Sequence, residues 1–231
     1  MSAMTPATSP TERNVRAELL HAAVAILNED GPDALQTRKI AGAAGTSTMA
    51  VYTHFGGMSG LIAAVADEGI RQFDAALTMA LTADPVADLI ATGNAYRRYA
   101  IERPHMYRLM FGSTSAHGIN APSHDLLTLS VAEITDHYPS FAHVVRGVQR
   151  CMLAGRITAG SASDDATVVA VAAQFWASVH GFVMLELAGY YGAQGSAVGP
   201  VLGWMTANLL ISLGDSPERV RESQRLAVQP R

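Results

Sequence analysis

A single cysteine, Cys151, stands in 231 residues, so no intrachain disulfide can form and a cysteine-based zinc site is excluded. Charge is also scarce. Charged residues make up 16% of the chain, low for a freely soluble monomer, and a large buried protein–protein surface would explain the deficit. Lys39 is the only lysine, and the net charge is −4. With no global positive field the chain is not a non-specific nucleic-acid binder, though a local reader of DNA stays open. No basic segment followed by an apolar core opens the chain, so no signal peptide is read. The most apolar run, 166–188, is interrupted by Gln174, Ser178, His180 and Glu186, which fits a buried helix better than a membrane span.

What is abundant is apolar residue, 49% of the chain, set at helical spacing. Residues 1–8 are polar and are expected to be disordered. Ser9-Pro10-Thr11-Glu12 reads as a helix start, and Val15, Leu19, Ala22 and Ile26 follow as one stripe up to Gly31-Pro32. Short helices are predicted over 37–44, with Ile40, Ala43 and Ala44 inward, and over 48–54, with Ser47 as cap and Val51 and Phe55 inward. Longer ones follow over 59–82, from Pro85 to Pro104, over 104–111, 123–137, 140–159, 165–188 and 200–213. Residues 112–122 read as a loop, and 215–231 as a flexible tail. No strand pattern and no internal repeat is found. The fold class is therefore all-α, with about nine to ten helices.

Residues 36–61 carry the most information. Two short helices meet at an Ala43-Ala44-Gly45 turn, where glycine permits the positive φ of a sharp reversal. The segment from Ser47 to Phe55 would be about 13 Å long at 1.5 Å per residue, a length that suits a major groove about 12 Å wide. Thr48, Met49 and Ala50 would lie at its leading end, near base edges. Tyr52, His54 and Thr37 have polar tips suited to phosphate oxygens. No acidic residue falls between Asp33 and Asp67, while Arg38 and Lys39 lie in that gap. Taken singly, each of these residues has an ordinary surface role, and the case rests on their joint placement around one glycine turn.

That placement resembles the N-terminal domain of the tetracycline-repressor (TetR) family of bacterial transcriptional regulators. The resemblance is carried by Thr37-Arg38-Lys39-Ile40-Ala41, by Ala43-Ala44-Gly45, and by Val51-Tyr52-Thr53-His54-Phe55 followed by Leu61. It implies a helix-turn-helix domain over 9–57 and a ligand-binding and dimerisation domain over 58–214. By position it makes Thr37, Arg38, Ser47, Thr48, Met49, Ala50, Tyr52 and His54 the DNA-binding residues. The segment Arg103–Gly112 and the element Trp176…His180-Gly181 resemble a C-terminal subtype of the same family.

The resemblance implies a cytoplasmic bacterial regulator, most simply a repressor, that binds a palindromic operator as a homodimer and is released by a small, mostly apolar effector. The helices over about 165–188 and 200–213 are expected to form the dimer interface. Met106, Met110, Phe111, Met152, Phe175, Trp176, Val179, His180 and Met184 are the expected pocket residues, since methionine adapts to varied ligands. Plain core packing is the competing role for each of them.

No cofactor, metal site or catalytic residue is expected: G-x-S-x-G, phosphate-loop and H-E-x-x-H motifs are missing, and His105, His117, His124, His137 and His143 lack compact spacing with carboxylates. The rival readings are a helical assembly protein whose helix-turn-helix no longer reads DNA, or an enzyme built on Cys151.

One position departs from the family's pattern. Members usually carry a phosphate-contacting lysine three residues after the His-Phe pair, and here that residue is Met58. One lost phosphate contact lowers the slope of log K against log salt by about 0.9. Met58→Lys is therefore expected to bind a selected operator more tightly than the native chain and with the steeper slope, as read by a salt titration of binding. Equal affinity and slope would count against the assignment.

Overall fold

The computed structural model describes residues 10–111 and 125–228, with side chains from 14 onward. Among the described residues there are eleven α-helices and no strand. The expected disorder over 1–8, the Ser9 capping box and the loop over 112–122 lie outside them. The chain divides into two compact units. The first runs to Arg71 and resumes at Arg103. The second comprises Gln72–Glu102 and the described residues from 125 on. The expected domain boundary at 57/58 does not coincide with this division, because the first half of a long helix packs with the short ones.

Unit 1 contains α1 (Pro10–Asp30), a 3-10 turn (Pro32–Ala34), α2 (Thr37–Ala43), α3 (Thr48–Phe55), the first part of α4 (Met58–Leu77) and α6 (Pro104–Phe111). Helices as short as α2 and α3 have too few internal hydrogen bonds to stand alone, so their apolar faces must converge. Leu19, Leu27, Ile40, Val51 and Leu61 form that core, all fully buried. Ala43 was expected inward but is exposed, and Ala44 is only half-buried; Ala41 takes the inward position instead. Gly45 adopts φ 64° and closes α2, with the Thr46 amide donating to the Ala41 carbonyl at 2.9 Å. At the next junction α4 starts so close to α3 that a Cβ on Gly60 would overlap the Phe55 carbonyl oxygen. In α6, Met106 and Met110 are buried against Gly69 of α4.

Unit 2 contains the end of α4, α5 (Pro85–Glu102), a 3-10 turn (Leu126–Thr128), α7 (Val131–His137), α8 (Pro139–Leu153), α9 (Asp165–Leu187), α10 (Trp204–Ser212) and α11 (Pro217–Ala227). A π-helical segment, Val198–Gly203, leads into α10. Val86, Ile134, Val145, Val148, Val169, Ala172 and Leu210 lie in its core. The helix expected over 123–137 is split because Ser130 and Glu133 form a capping box that starts α7 afresh. Asp84 caps α5 as its position suggests, accepting from the Val86 and Ala87 amides at 3.0 and 3.1 Å.

The expected flexible tail is wrong over Pro217–Ala227, which forms α11 with Val220, Ser223 and Ala227 buried. A polar network fixes it. The Arg156 guanidinium, 5% exposed, donates to Asp215 at 2.9 Å, to Asp84 at 3.1 Å and to the Ser223 hydroxyl at 3.0 Å. That hydroxyl donates in turn to Asp84 at 2.6 Å. Burial pushes the Asp84 carboxyl up, but hydrogen bonds from Ser223 and the Ala87 and Val86 amides, with the charge of Arg156, outweigh it and hold the group below its usual 3.8. Arg97 is bidentate to buried Glu186 at 2.7 Å on both oxygens.

α9 is long and apolar enough to cross a membrane by length and composition. One of its faces, including Val168, Ala172, Phe175, Val179 and Val183, is buried in unit 2.

Removing Arg156 takes the cation from half-buried Asp84 and leaves buried Asp215 with only Arg219, 3.8 Å away. Arg156→Met is expected to lower the unfolding free energy by about 3–5 kcal/mol, measured by denaturant titration. The depressed Asp84 carboxyl contributes stability above its unfolded pKa that is lost as pH falls through its lower folded value. The native chain should therefore lose stability below about pH 4, and Ser223→Ala, which removes a hydrogen bond to Asp84, should reduce that acid-dependent loss.

Candidate nucleic-acid interface and interior cavity

In unit 1, α3 buries Val51 and turns Thr48, Met49 and Tyr52 outward. Met49 is 68% exposed and Tyr52 59%, unusual for side chains that gain about 1.5–3 kcal/mol on burial. Ser47 and Thr48 are exposed, and Ala50 and His54 are half-buried at the flanks. Ser47 occupies the N-cap position with extended backbone, but its side chain makes no capping bond. Thr37 is half-buried at the first residue of α2 and Arg38 is exposed beside it. All eight expected DNA-facing residues thus lie on α2, on α3 or at the turn between them.

The two cations of this segment differ. Lys39 Nζ donates to Asp30 at 2.8 Å, which neutralises it locally. Among the described residues no carboxylate pairs with Arg38. Sequence reasoning missed Arg16, whose guanidinium lies 4.9 Å from the centroid of the Phe55 ring at the end of α3. The signal available was an arginine off the apolar stripe of α1. Met58 is half-buried at the first residue of α4.

Unit 2 holds an interior cavity of about 80 Å³, bounded by Leu89, Tyr96, Val144, Phe175, Val179 and Leu202. One wall is the π-helical segment, a conformation often found at functional sites. Thr92, Asn94, Thr206 and Gln224 are the polar residues that, with Tyr96, complete its lining. The Tyr96 hydroxyl lies 2.9 Å from His180 Nδ1 and accepts from Trp176 Nε1 at 3.4 Å. Burial lowers the pKa of His180, which favours the neutral ring, whose Nδ1 can accept a hydrogen bond from the phenol. On its other side Tyr96 meets Phe73 of α4 edge-on, with ring centroids 4.9 Å apart.

The structure brings together only part of the expected pocket. Phe175 and Val179 line the cavity, and Trp176 and His180 hold Tyr96 from behind. Met152 packs in the core of unit 2, and Met184 is half-buried outside the lining. Met106 and Met110 pack on Gly69 in unit 1, and Phe111 packs on Tyr107. A cavity of this size is below the ~150 Å³ that admits benzene in an engineered core, so it would have to widen to hold a molecule of that size. Cys151 is buried in the core of unit 2, where burial pushes its thiol up to about 12. A thiol so protonated at neutral pH is a poor nucleophile.

Residues 19–65 match the family model for bacterial regulatory proteins of the tetR family, and residues 89–209 match that for the tetracyclin repressor-like C-terminal domain. No curated protein matches the chain. Among solved structures, a protein of unknown function from Rhodococcus sp. RHA1 is 26% identical, with a TM-score of 0.65 and 87% of this chain and 96% of that one covered. RolR in complex with resorcinol is 17% identical, with a TM-score of 0.63 and coverage of 96% and 97%. A TetR variant from Acinetobacter baumannii AYE in complex with minocycline is 18% identical, with a TM-score of 0.51 and coverage of 94% and 96%.

The state of Cys151 can be read directly. The native chain is expected to leave Ellman's reagent unreacted at pH 8 over minutes, and to react at its single thiol once denatured. Fast reaction of the native chain would contradict the burial.

Proposed function

The chain belongs to the tetracycline-repressor family of bacterial transcriptional regulators, and from that premise we propose that it is a cytoplasmic repressor that binds a palindromic operator as a homodimer and leaves it when a small, mostly apolar effector enters unit 2. Members of the family are DNA-binding, ligand-responsive regulators rather than enzymes. The observation that carries the reading is the outward face of α3. Thr48, Met49 and Tyr52 stand exposed there on a helix whose opposite face is locked by Val51.

In this reading Thr48, Met49 and Ala50 meet base edges, with Met49 and Ala50 suited to thymine methyl groups. Thr37, Arg38, Ser47, Tyr52 and His54 hold phosphates, and Arg16 supplies a cation that Met58 does not. The homodimer forms through α9 and α10. Ala166, Ala170, Gln174, Ala177, Gly181 and Leu185 make an exposed stripe of mostly small residues along α9, and Trp204, 65% exposed, stands with Met205 and Ile211 on α10. Such exposed apolar surface favours a protein partner. Two-fold symmetry then sets half-sites about 34–36 Å apart, or a multiple of that.

The effector enters the Tyr96 cavity and widens it. Tyr96 touches Phe73 on α4, the helix whose first residue follows the reading segment by three positions. Displacement of Phe73 shifts α4 and with it the separation of the two reading heads. A coupling of about 1–3 kcal/mol corresponds to a 5–150-fold change in operator affinity.

The test is a random-oligonucleotide selection with the full chain. A palindromic site should be enriched, Arg38→Ala should weaken binding to it and reduce the salt slope by about 0.9, and Trp204→Glu should halve the mass seen by light scattering. A selection that enriches no sequence would overturn the reading of DNA. A native monomer in dilute solution would overturn the dimer.

A further inference from the structure

Unit 2 contains a second hollow, of about 230 Å³, between the end of α4, the start of α5 and α8. Leu77, Met79 and Leu89 give it apolar walls, with exposed Leu81 at the rim. The third side is one face of α8, where His143, Arg146 and Arg150 recur at spacings of three and four.

The polar groups there are engaged, with one exception. The Asp88 carboxylate, 2% exposed, accepts from Arg150 Nη1 at 2.7 Å, from the Thr82 amide at 2.9 Å and from the Thr82 hydroxyl at 2.8 Å. Asp74 of α4 pairs with His143 Nε2 at 2.9 Å. Thr78 and Thr92 donate to carbonyls of their own helices at 3.1 and 3.0 Å. Arg146 is the exception. Its Nε donates to the Ala142 carbonyl at 3.2 Å, and among the described residues no carboxylate pairs with its guanidinium.

A hollow with leucine walls and, at its solvent-exposed side, the guanidinium of Arg146 with no carboxylate partner among the described residues is complementary to an amphiphile with one negative charge. We propose that this hollow binds a small organic carboxylate, its apolar body against Leu77, Met79 and Leu89 and its head on Arg146. The planar fork of arginine pairs bidentately with a carboxylate. A doubly charged phosphate would face Asp74 and Asp88 with only that one cation added, so a monoanion fits better. The ligand is distinct from the effector of the Tyr96 cavity, and its head lies on the same helix face as His143, the residue that ties α8 to α4.

Isothermal titration of the full chain without DNA tests this, with sodium octanoate as probe, octan-1-ol as its neutral counterpart and inorganic phosphate as the anion without an apolar body. Octanoate should bind at least tenfold more tightly than either. Arg146→Gln should lose that advantage, Arg146→Lys should recover part of it, and Arg98→Gln, which removes a remote exposed arginine, should behave as native. Octanol binding as tightly as octanoate, or an octanoate affinity unchanged in Arg146→Gln, would overturn the proposal. An equal loss in Arg98→Gln would overturn it too, by showing a general charge effect. Because no operator is involved, failure here leaves the DNA-reading proposal untouched.

Discussion

Unit 2 depends on one buried cation. Arg156 leaves the end of α8 and meets Asp84, which starts α5, Asp215, which follows α10, and Ser223 in the middle of α11. Three helix ends or faces, from α5, α10 and α11, converge on its guanidinium at the end of α8. A lysine, with a single ammonium, could not serve them in that planar geometry. Burying such a group is favourable only when nearly all its donors are satisfied, and removing any one partner leaves the others desolvated and unpaired. The network therefore sets the positions of α5, α8, α10 and α11 together. Those helices, with α9, wall the interior cavity. The link is completed by Gln224 of α11, which donates to the Gly203 carbonyl at the end of the π-helical segment at 3.0 Å.

Unit 1 is held in a different way. Its core of Leu19, Leu27, Ile40, Val51 and Leu61 is apolar, and its tight junctions are made by glycines rather than by buried charge. At Gly45 the backbone needs positive φ, and at Gly60 it needs the absence of a Cβ. The outward face of α3 gains no strength from charge. Lys39 is paired with Asp30, which leaves Arg38 and the ring-stacked Arg16 as nearby cations with no carboxylate partner among the described residues. In the proposed DNA-bound state such a face would rely on shape and apolar contact more than on counterion release.

Much of the fold was legible from punctuation. Pro104 and the apolar positions after it place α6 at Pro104–Phe111, and Asp84-Pro85 starts α5 where an aspartate cap and a first-turn proline should. The helix-turn-helix was legible because its constraints are local: two short apolar faces, a glycine between them and polar tips at the end. The tail was not. Residues 217–227 are mostly polar, and what docks them is Ser223 bonded to Arg156 and Asp84, some 67 and 139 positions away. The pocket was legible only in part for a similar reason. Phe175 and Val179 face a hollow while Met152 packs solidly, yet all three lie on apolar stripes of equal quality.

By itself the sequence determined the helical class, most helix limits, the glycine turn and the side chains that α3 carries outward. These follow from spacing and backbone preference within about twenty residues. Only the tertiary structure decided which apolar residues border empty space, which arginine is buried and which is left without a carboxylate, and that α11 exists as a docked element. Those outcomes depend on how atoms far apart in the chain fill volume and satisfy charge when water is excluded, and no local pattern encodes that balance.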